Sequence, residues 1–170
     1  MMSPVRRAGF ALATGAVALS LVACQAGSNA QTSQEYSPVD GRNINAPAEP
    51  TRGEPYLALR GVIIVVSDAG QGTLVATIRN KTDEQESLVS VTASEVPATI
   101  EGGSVVIDPG ASVTIGSEGG PTVSWPDLGK TAGSWTTLTL RFASAGNVTR
   151  DVLVTAQDGV FADVVVPSAA

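Results

Sequence analysis

The chain has 170 residues, a formal net charge of −6 at pH 7, and a composition that is 43% hydrophobic and 15% charged. This length is typical of one domain, and the negative charge disfavours nucleic acid and anionic lipid surfaces as partners, because both repel acidic proteins. The chain contains no histidine, which removes the usual general base of hydrolases and a main ligand of soft metals. Valine, threonine, serine and glycine outnumber the helix formers, so strands and turns are expected.

The N-terminus has the layout of an export signal. Arg6 and Arg7 precede an uncharged, largely apolar run over residues 8–23. This run is shorter than the about 20 residues that a helix needs to cross a hydrocarbon core, so it predicts an export signal rather than a membrane span. The run ends in Leu21-Val22-Ala23-Cys24, which is similar to the lipobox of bacterial lipoproteins. We predict a signal peptide over residues 1–23 and lipidation of Cys24, which anchors the protein to the extracytoplasmic face of the cell membrane.

The alternative is an ordinary secretory signal followed by an incidental cysteine. Cys24 is the only cysteine of the chain, so it has no partner for an intramolecular disulfide, and a free thiol is unusual outside the cell. Lipidation accounts for a cysteine at this position. Cleavage before Cys24 removes two arginines and no acid, which leaves 8 basic and 16 acidic residues and a net charge of −8.

Residues 24–55 are predicted to form the lipidated cysteine and a flexible tether. They contain four prolines among Gln, Ser, Asn and Ala and show no apolar periodicity, which is typical of a linker. Three apolar side chains in this segment, Tyr36, Val39 and Ile44, are candidates to lie along the domain that follows.

From residue 56 the pattern changes to short apolar runs separated by turn signals. About eight strands spaced roughly 8–12 residues apart predict an all-β fold, an antiparallel Greek-key sandwich or barrel over residues 56–156. The predicted strands are Tyr56–Val66, Thr73–Arg79, Ser87–Ala93, Ser104–Ile107, Ala111–Ile115, Thr122–Trp125, Thr136–Phe142 and Val148–Thr155.

Alternation within these strands predicts which side chains face the core. Leu74, Ala76 and Ile78 share one face of the second strand, and Leu138, Leu140 and Phe142 face inward from the seventh, which is expected to be central. Leu88 has the opposite parity to Val89 and Val91 in the third strand. Residues 157–170 have two interpretations, an extra edge strand or an extended tail that packs on the sheet or on a partner.

Catalytic and metal-binding motifs are not found, so we predict no catalytic residue, no metal site, no cofactor and no enzymatic activity. The chain lacks the Gly-x-Ser-x-Gly elbow, and serine–lysine catalysis would need Lys81 or Lys130, which lie in polar, turn-like segments. The acidic run Asp83, Glu84 and Glu86 is interpreted as a solvated turn. No aspartate-rich loop has the spacing of a calcium site.

Trp125 and Trp135 flank a loop of turn-forming residues. One interpretation is that one or both close the end of the sandwich. The other is that they form an exposed aromatic surface for a protein or glycan partner, since interfaces are enriched in tryptophan.

Several stretches together resemble the PCuAC-type periplasmic copper chaperones, and more closely the actinobacterial lipoproteins similar to LpqE that share that domain. The resemblance covers roughly residues 56–155 and implies a cupredoxin-like β-sandwich. The stretches that carry it are Leu57–Ile64, Leu74–Glu84, Ser87–Val91, Val106–Val113 and Leu138–Val148.

The copper site of that family includes a His-x-Met pair just after a Gly-Gly. Here Gly119-Gly120 is followed by Pro121-Thr122-Val123-Ser124, so Thr122 and Ser124 stand where the resemblance places these ligands. Both methionines of the chain precede Cys24, and there is no histidine. The resemblance therefore implies the scaffold and not the copper activity.

These observations favour a non-catalytic, membrane-anchored lipoprotein of the cell envelope that acts as a binding or adaptor module for an envelope protein of unknown identity. The alternative is a metallochaperone that uses oxygen ligands or a partner protein. An enzyme is the third hypothesis.

Overall fold

The computed structural model describes residues 41–167 of the chain. The predicted signal peptide, Cys24 and the tether up to residue 40 lie outside the described residues. No helix within residues 41–167 has the length and apolar character needed to span a membrane. The described elements are β1 (Arg42–Ala46), β2 (Leu57–Val66), β3 (Gly72–Asn80), β4 (Glu86–Ala93), β5 (Val96–Pro97), β6 (Thr99–Ile100), β7 (Val105–Ile107), β8 (Ser112–Ile115), β9 (Val123–Trp125), β10 (Trp135–Phe142), β11 (Asn147–Ala156) and a 3-10 turn (Gly159–Phe161).

The strands form two sheets that pack face to face. The first sheet contains β1, β2, β3, β6, β8 and β9, and the second contains β4, β5, β7 and β10. β11 joins the two, because its first part pairs antiparallel with β10 and Val154–Ala156 pair parallel with β2. The prediction of an all-β sandwich is confirmed. The β11–β2 pair departs from the antiparallel pattern because one strand continues from the second sheet into the first.

The eight predicted strands all occur, each within one residue of its predicted bounds. Alternation sets the core as expected in β10, where Leu138, Leu140 and Phe142 are buried while Thr137 and Arg141 are exposed. β10 is central, since β4 and β11 pair with its two edges.

A β-bulge explains the parity conflict in β4. Leu88 and Val91 are both buried, although strict alternation would place them on opposite faces. The pairing with β10 shifts between Ser90 and Leu88, so that Val89 is the extra residue. A bulge adds one residue to one strand and thereby returns the side chains that follow to the core face.

The tether assignment is wrong for its last part. Residues 42–46 form β1, which pairs antiparallel with β2, and Ile44 is only 3% exposed. Arg60 reinforces this pairing, because its Nη1 donates to the carbonyl of Ile44 at 3.2 Å and to Asn45 Oδ1 at 3.1 Å. Backbone pairing and one buried branched side chain hold a segment whose composition is that of a linker.

The C-terminal segment does not form the edge strand. After the 3-10 turn no residue up to 167 pairs in a strand ladder. Instead, the Thr73 hydroxyl donates to the carbonyl of Val165 at 2.8 Å, and Gln157 Nε2 donates to that of Val164 at 2.8 Å. The alternative of a tail that packs on the sheet fits this geometry, and the tail buries Thr73 although its parity places it on the outer face of β3.

Candidate functional site

The positions that the resemblance assigns to metal ligands lie at the β6–β9 edge of the first sheet. Ser124 pairs with Thr99 on one side and with Thr73 on the other, and Val123 pairs with Ile100. Directly opposed residues of antiparallel strands project to the same face. Ser124 therefore shares a face with Thr99, whereas Ile100 shares the other face with buried Val123.

This edge offers hydroxyl oxygens rather than soft donors. Ser124 is 9% exposed and is paired with Thr73, whose hydroxyl is engaged by the C-terminal tail. Thr122 is partly exposed, and its carbonyl accepts from the backbone N–H of Glu101 at 3.0 Å. Within residues 41–167, no group of three or more His, Cys, Asp or Glu side chains is arranged to hold a metal ion.

The two tryptophans have different environments. Trp125 is fully buried in the core, and its indole Nε1 donates to the carbonyl of Val96 at 3.0 Å. The interpretation of Trp125 as part of a partner surface is therefore wrong, because the sandwich encloses the ring and satisfies its only donor. Trp135, at the start of β10, is 60% exposed. It alone of the two is accessible to a partner.

Glu86 is a structural carboxylate, so the prediction of a solvated acidic turn is wrong for this residue. It is buried, whereas Asp83 and Glu84 are exposed. Its carboxylate accepts from the backbone N–H groups of Ser87 at 2.8 Å, Ser144 at 3.0 Å and Ala145 at 2.8 Å. Burial raises its pKa, but these backbone hydrogen bonds outweigh burial and leave the pKa of Glu86 below its ordinary value of 4.5.

A groove on the outer face of the first sheet, called the basic groove below, was not predicted from the sequence. It has a volume of about 870 Å³ and lies over β2, β3 and β8, between the turn after β3 and the turn before β8. Its lining residues are Ala58, Arg60, Thr77, Arg79, Asn80, Lys81, Thr82, Asp83, Pro109, Gly110 and Ser112.

Asn80 fixes the turn that forms one wall of this groove. Its side chain is fully buried, and its Nδ2 donates to the carbonyls of Glu84 at 2.8 Å and Ile107 at 3.0 Å. Its Oδ1 accepts from the backbone N–H and the hydroxyl of Thr82, at 2.9 and 2.7 Å. Both amide hydrogens and both lone pairs are used, so the side chain is fully satisfied.

The side chain of Lys81 is engaged by an aromatic residue. Lys81 Nζ donates to the phenolic oxygen of Tyr56 at 2.8 Å and lies 4.7 Å from the centre of its ring. Lys130 lies in the loop between β9 and β10. The side-chain contacts of Lys81 thus serve to hold it along the groove wall.

Comparison with solved structures identifies the type of scaffold. No protein-family model matches the chain, and no curated protein matches it in sequence. The apo PCuAC domain from PmoF1 superposes with a TM-score of 0.52 at 26% identity, over 59% of this chain and 93% of that domain. The copper-bound PCuAC domain from PmoF2 gives a TM-score of 0.52 at 23% identity, over 59% of this chain and 92% of that domain. The described part of the chain is therefore a PCuAC-like β-sandwich, a copper-chaperone-like scaffold.

Proposed function

We propose that the protein is a lipid-anchored, non-catalytic lipoprotein of the cell envelope, related to the LpqE-like lipoproteins, whose PCuAC-like domain has lost its metal site and serves as a binding or adaptor module. The observation that carries the proposal is the donor set. No histidine is present, no methionine follows Met2, and the single cysteine is Cys24.

Copper(I) prefers sulfur and imidazole ligands, and hydroxyl oxygens are hard, weak donors. Thr122 and Ser124 supply only hydroxyls at the positions that the resemblance assigns to ligands. Ser124 is also nearly inaccessible and lies beside Thr73, which the chain's own C-terminal tail covers. Both the chemistry and the access argue against Cu(I) at this edge.

A second candidate function is metal handling with non-standard ligands or with a partner protein. The 26% identity and the near-complete coverage of the PmoF1 PCuAC domain favour it. The two functions make opposite predictions for Cu(I) binding by the domain in isolation.

Titration of a fragment that begins at residue 36 separates them. We expect that the fragment does not compete for Cu(I) against a moderate chelator and that Cu(I) does not change its melting temperature. Melting is a sensitive measure, because a ligand that binds at 100 times its dissociation constant adds about 2.7 kcal/mol of stability. A graft of Thr122→His with Ser124→Met supplies soft donors at the same edge, and Cu(I) binding by the graft would show that the missing donors, rather than limited access, prevent binding. A third soft ligand belongs at Thr99, as Thr99→Met, because Thr99 lies opposite Ser124 and projects to the same face. Stoichiometric, tight Cu(I) binding by the unmodified fragment would refute the metal-free proposal.

The membrane anchor is tested separately at Cys24. The Cys24→Ala variant should lose labelling by radioactive palmitate, should not be cleaved at the usual position and should change its detergent partitioning, because stable anchoring needs two acyl chains or an equivalent second signal. Unchanged labelling would exclude Cys24 as the acylated residue.

The partner surface is proposed around Trp135. A photo-crosslinking amino acid at position 135 should give a discrete adduct in intact cells, while the same group at Val106, which is 50% exposed on β7, should not. Exposed tryptophans are enriched at binding hot spots. Equal adducts at both positions would show proximity in the envelope rather than a binding surface.

A further inference from the structure

The basic groove concentrates positive charge on an otherwise acidic protein. Arg60, Arg79 and Lys81 line it, against the single acid Asp83, whereas the whole chain carries 10 basic and 16 acidic residues. A concave surface lined by one sign of charge focuses the field and attracts the opposite ion. Its volume of about 870 Å³ lies within the range of roughly 300–1,000 Å³ that is usual for small-molecule sites.

The strand register brings these residues together. Arg60 is paired with Thr77, and Arg79 with Ala58 on one side and Ser112 on the other. These outward side chains place guanidinium and hydroxyl groups on one face over β2, β3 and β8. The Thr77 hydroxyl lies 3.3 Å from that of Thr114, so a row of hydroxyls runs beside the arginines.

The groove walls are held in place before any ligand binds. Asn80 pins the turn that carries Lys81, and the backbone N–H of Asn80 donates to the carbonyl of Ala111 at 2.9 Å, which ties this turn to the opposite wall. Lys81 is oriented by Tyr56, and Arg60 by the backbone of β1 and β2. Preorganised donors bind more tightly because less conformational freedom is lost on binding.

Arg79 is the side chain with capacity for a ligand. It is exposed, and in the described part of the chain neither Arg79 nor Asp83 has a side-chain hydrogen bond or ion pair. Asp83 therefore does not neutralise the guanidinium. An arginine fork together with hydroxyl donors matches a tetrahedral anion with several acceptor oxygens, since guanidinium binds phosphate in a bidentate manner.

We propose that this groove is a binding site for the phosphate group of a small, polar, phosphate-bearing ligand. Beside the three cationic side chains, the lining contributes the hydroxyl-bearing residues Thr77, Thr82 and Ser112, which suit the polar groups of such a ligand. The net charge of −8 after cleavage before Cys24 opposes approach to an anionic bilayer, which favours a soluble phosphate ester over a lipid headgroup.

Calorimetric titration of the full chain in a mild detergent tests the site with inorganic phosphate, glycerol 3-phosphate and acetate at low ionic strength. Both phosphates should bind in the millimolar range or tighter, and acetate should bind at least about 10-fold more weakly. Arg79→Gln should weaken phosphate binding by about 10-fold or more. Arg141→Gln is the matched control, because it removes the same charge from an exposed position on β10 and should leave the affinity unchanged.

Vesicles distinguish the two sources of phosphate, with a chain of residues 25–170 used to remove both the predicted signal peptide and the anchor. We expect no binding to phosphatidylglycerol vesicles above that to phosphatidylcholine vesicles. A lipid headgroup would replace the soluble ester as the proposed ligand if two results were found together. The protein would bind phosphatidylglycerol vesicles selectively and lose this binding with Arg79→Gln, and it would not bind glycerol 3-phosphate. Equal losses with Arg79→Gln and Arg141→Gln, or equal affinity for acetate, would overturn the site itself. The outcome is independent of Cu(I) binding at β6–β9.

Discussion

The buried carboxylate of Glu86 makes the stability of the domain depend on pH in a way that one substitution isolates. The side chain lies at the start of β4 and joins it to the turn between β10 and β11 through the N–H groups of Ser144 and Ala145. Replacement by glutamine keeps the shape but substitutes an amide for one acceptor oxygen, so at least one buried N–H loses its partner. Loss of hydrogen bonds to a charged group costs about 1.5–3 kcal/mol, which is the expected effect of Glu86→Gln near neutral pH.

The pH dependence follows from the sign of the pKa shift. The pKa of Glu86 in the folded protein is lowered below its ordinary value of 4.5, so the unfolded chain binds the proton more tightly. The stabilisation is therefore fully present above about pH 4.5 and is lost as the pH falls through the folded pKa. The difference in unfolding free energy between the wild type and Glu86→Gln should narrow over this acidic range.

Urea unfolding at neutral pH and at several acidic pH values measures this difference. Glu84→Gln is the matched control, since Glu84 is exposed in the same acidic run and its replacement should change stability by less than about 0.5 kcal/mol. Equally mild effects of the two substitutions at neutral pH, or a Glu86→Gln difference that stays constant down to acidic pH, would refute the assignment of Glu86 as a charged structural clamp.

Three further predictions concern stability measured by denaturant midpoints. Leu140→Ala should cost about 2–5 kcal/mol because it leaves a cavity in the central strand, whereas Thr139→Ala on the outer face should cost well under about 1 kcal/mol; equal costs would contradict the facing of β10. Trp125→Ala should cost about 3–5 kcal/mol and Trp135→Ala close to none, and the reverse order would contradict their burial. Asn80→Ala removes a fully buried side chain that makes four hydrogen bonds and should cost about 1–3 kcal/mol; a neutral effect would show that water replaces the amide.

Local periodicity was sufficient to predict eight of the eleven described strands. Alternation placed Leu138, Leu140 and Phe142 in the core, and each predicted strand was found, because a half-buried strand must alternate wherever it is regular. The parity conflict between Leu88 and Val91 was also visible in the sequence. Such a conflict within one strand indicates a bulge, and the bulge was found there.

Features fixed by distant contacts were not predictable. β1 forms because the edge of β2 is available for pairing, and the sequence of residues 42–46 does not indicate this partner. The β4–β5 hairpin turns through Ser94 and Glu95, both at positive φ, where glycine or asparagine would have given the usual signal. The sequence pattern predicts Glu86 to be a surface acid, because two of its backbone donors, Ser144 and Ala145, are distant in sequence.

The candidate site was partly visible in the sequence. The expectation that Thr122 and Ser124 stand at ligand positions came from the resemblance, whereas the facing of Ile100 required the β6–β9 register. The sequence contained an indication of the basic groove, but periodicity within single strands was not enough to find it. Arg60 and Arg79 both point outward from the paired strands of one hairpin, and pairing β2 with β3 places them on the same face.

A single strand connects the two regions of functional interest. Thr73, Val75, Thr77 and Arg79 share the outer face of β3, and their exposure increases along the strand from fully buried Thr73 to exposed Arg79. The buried end is covered by the C-terminal tail through the Thr73–Val165 hydrogen bond and adjoins Ser124. The exposed end carries the basic groove. The tail covers the end of this face that adjoins Ser124, and among the described residues the outer face of β3 is accessible at its other end, where Arg79 is exposed. Arginine, lysine and hydroxyl groups there are the donors on which the proposal of an anion site rests.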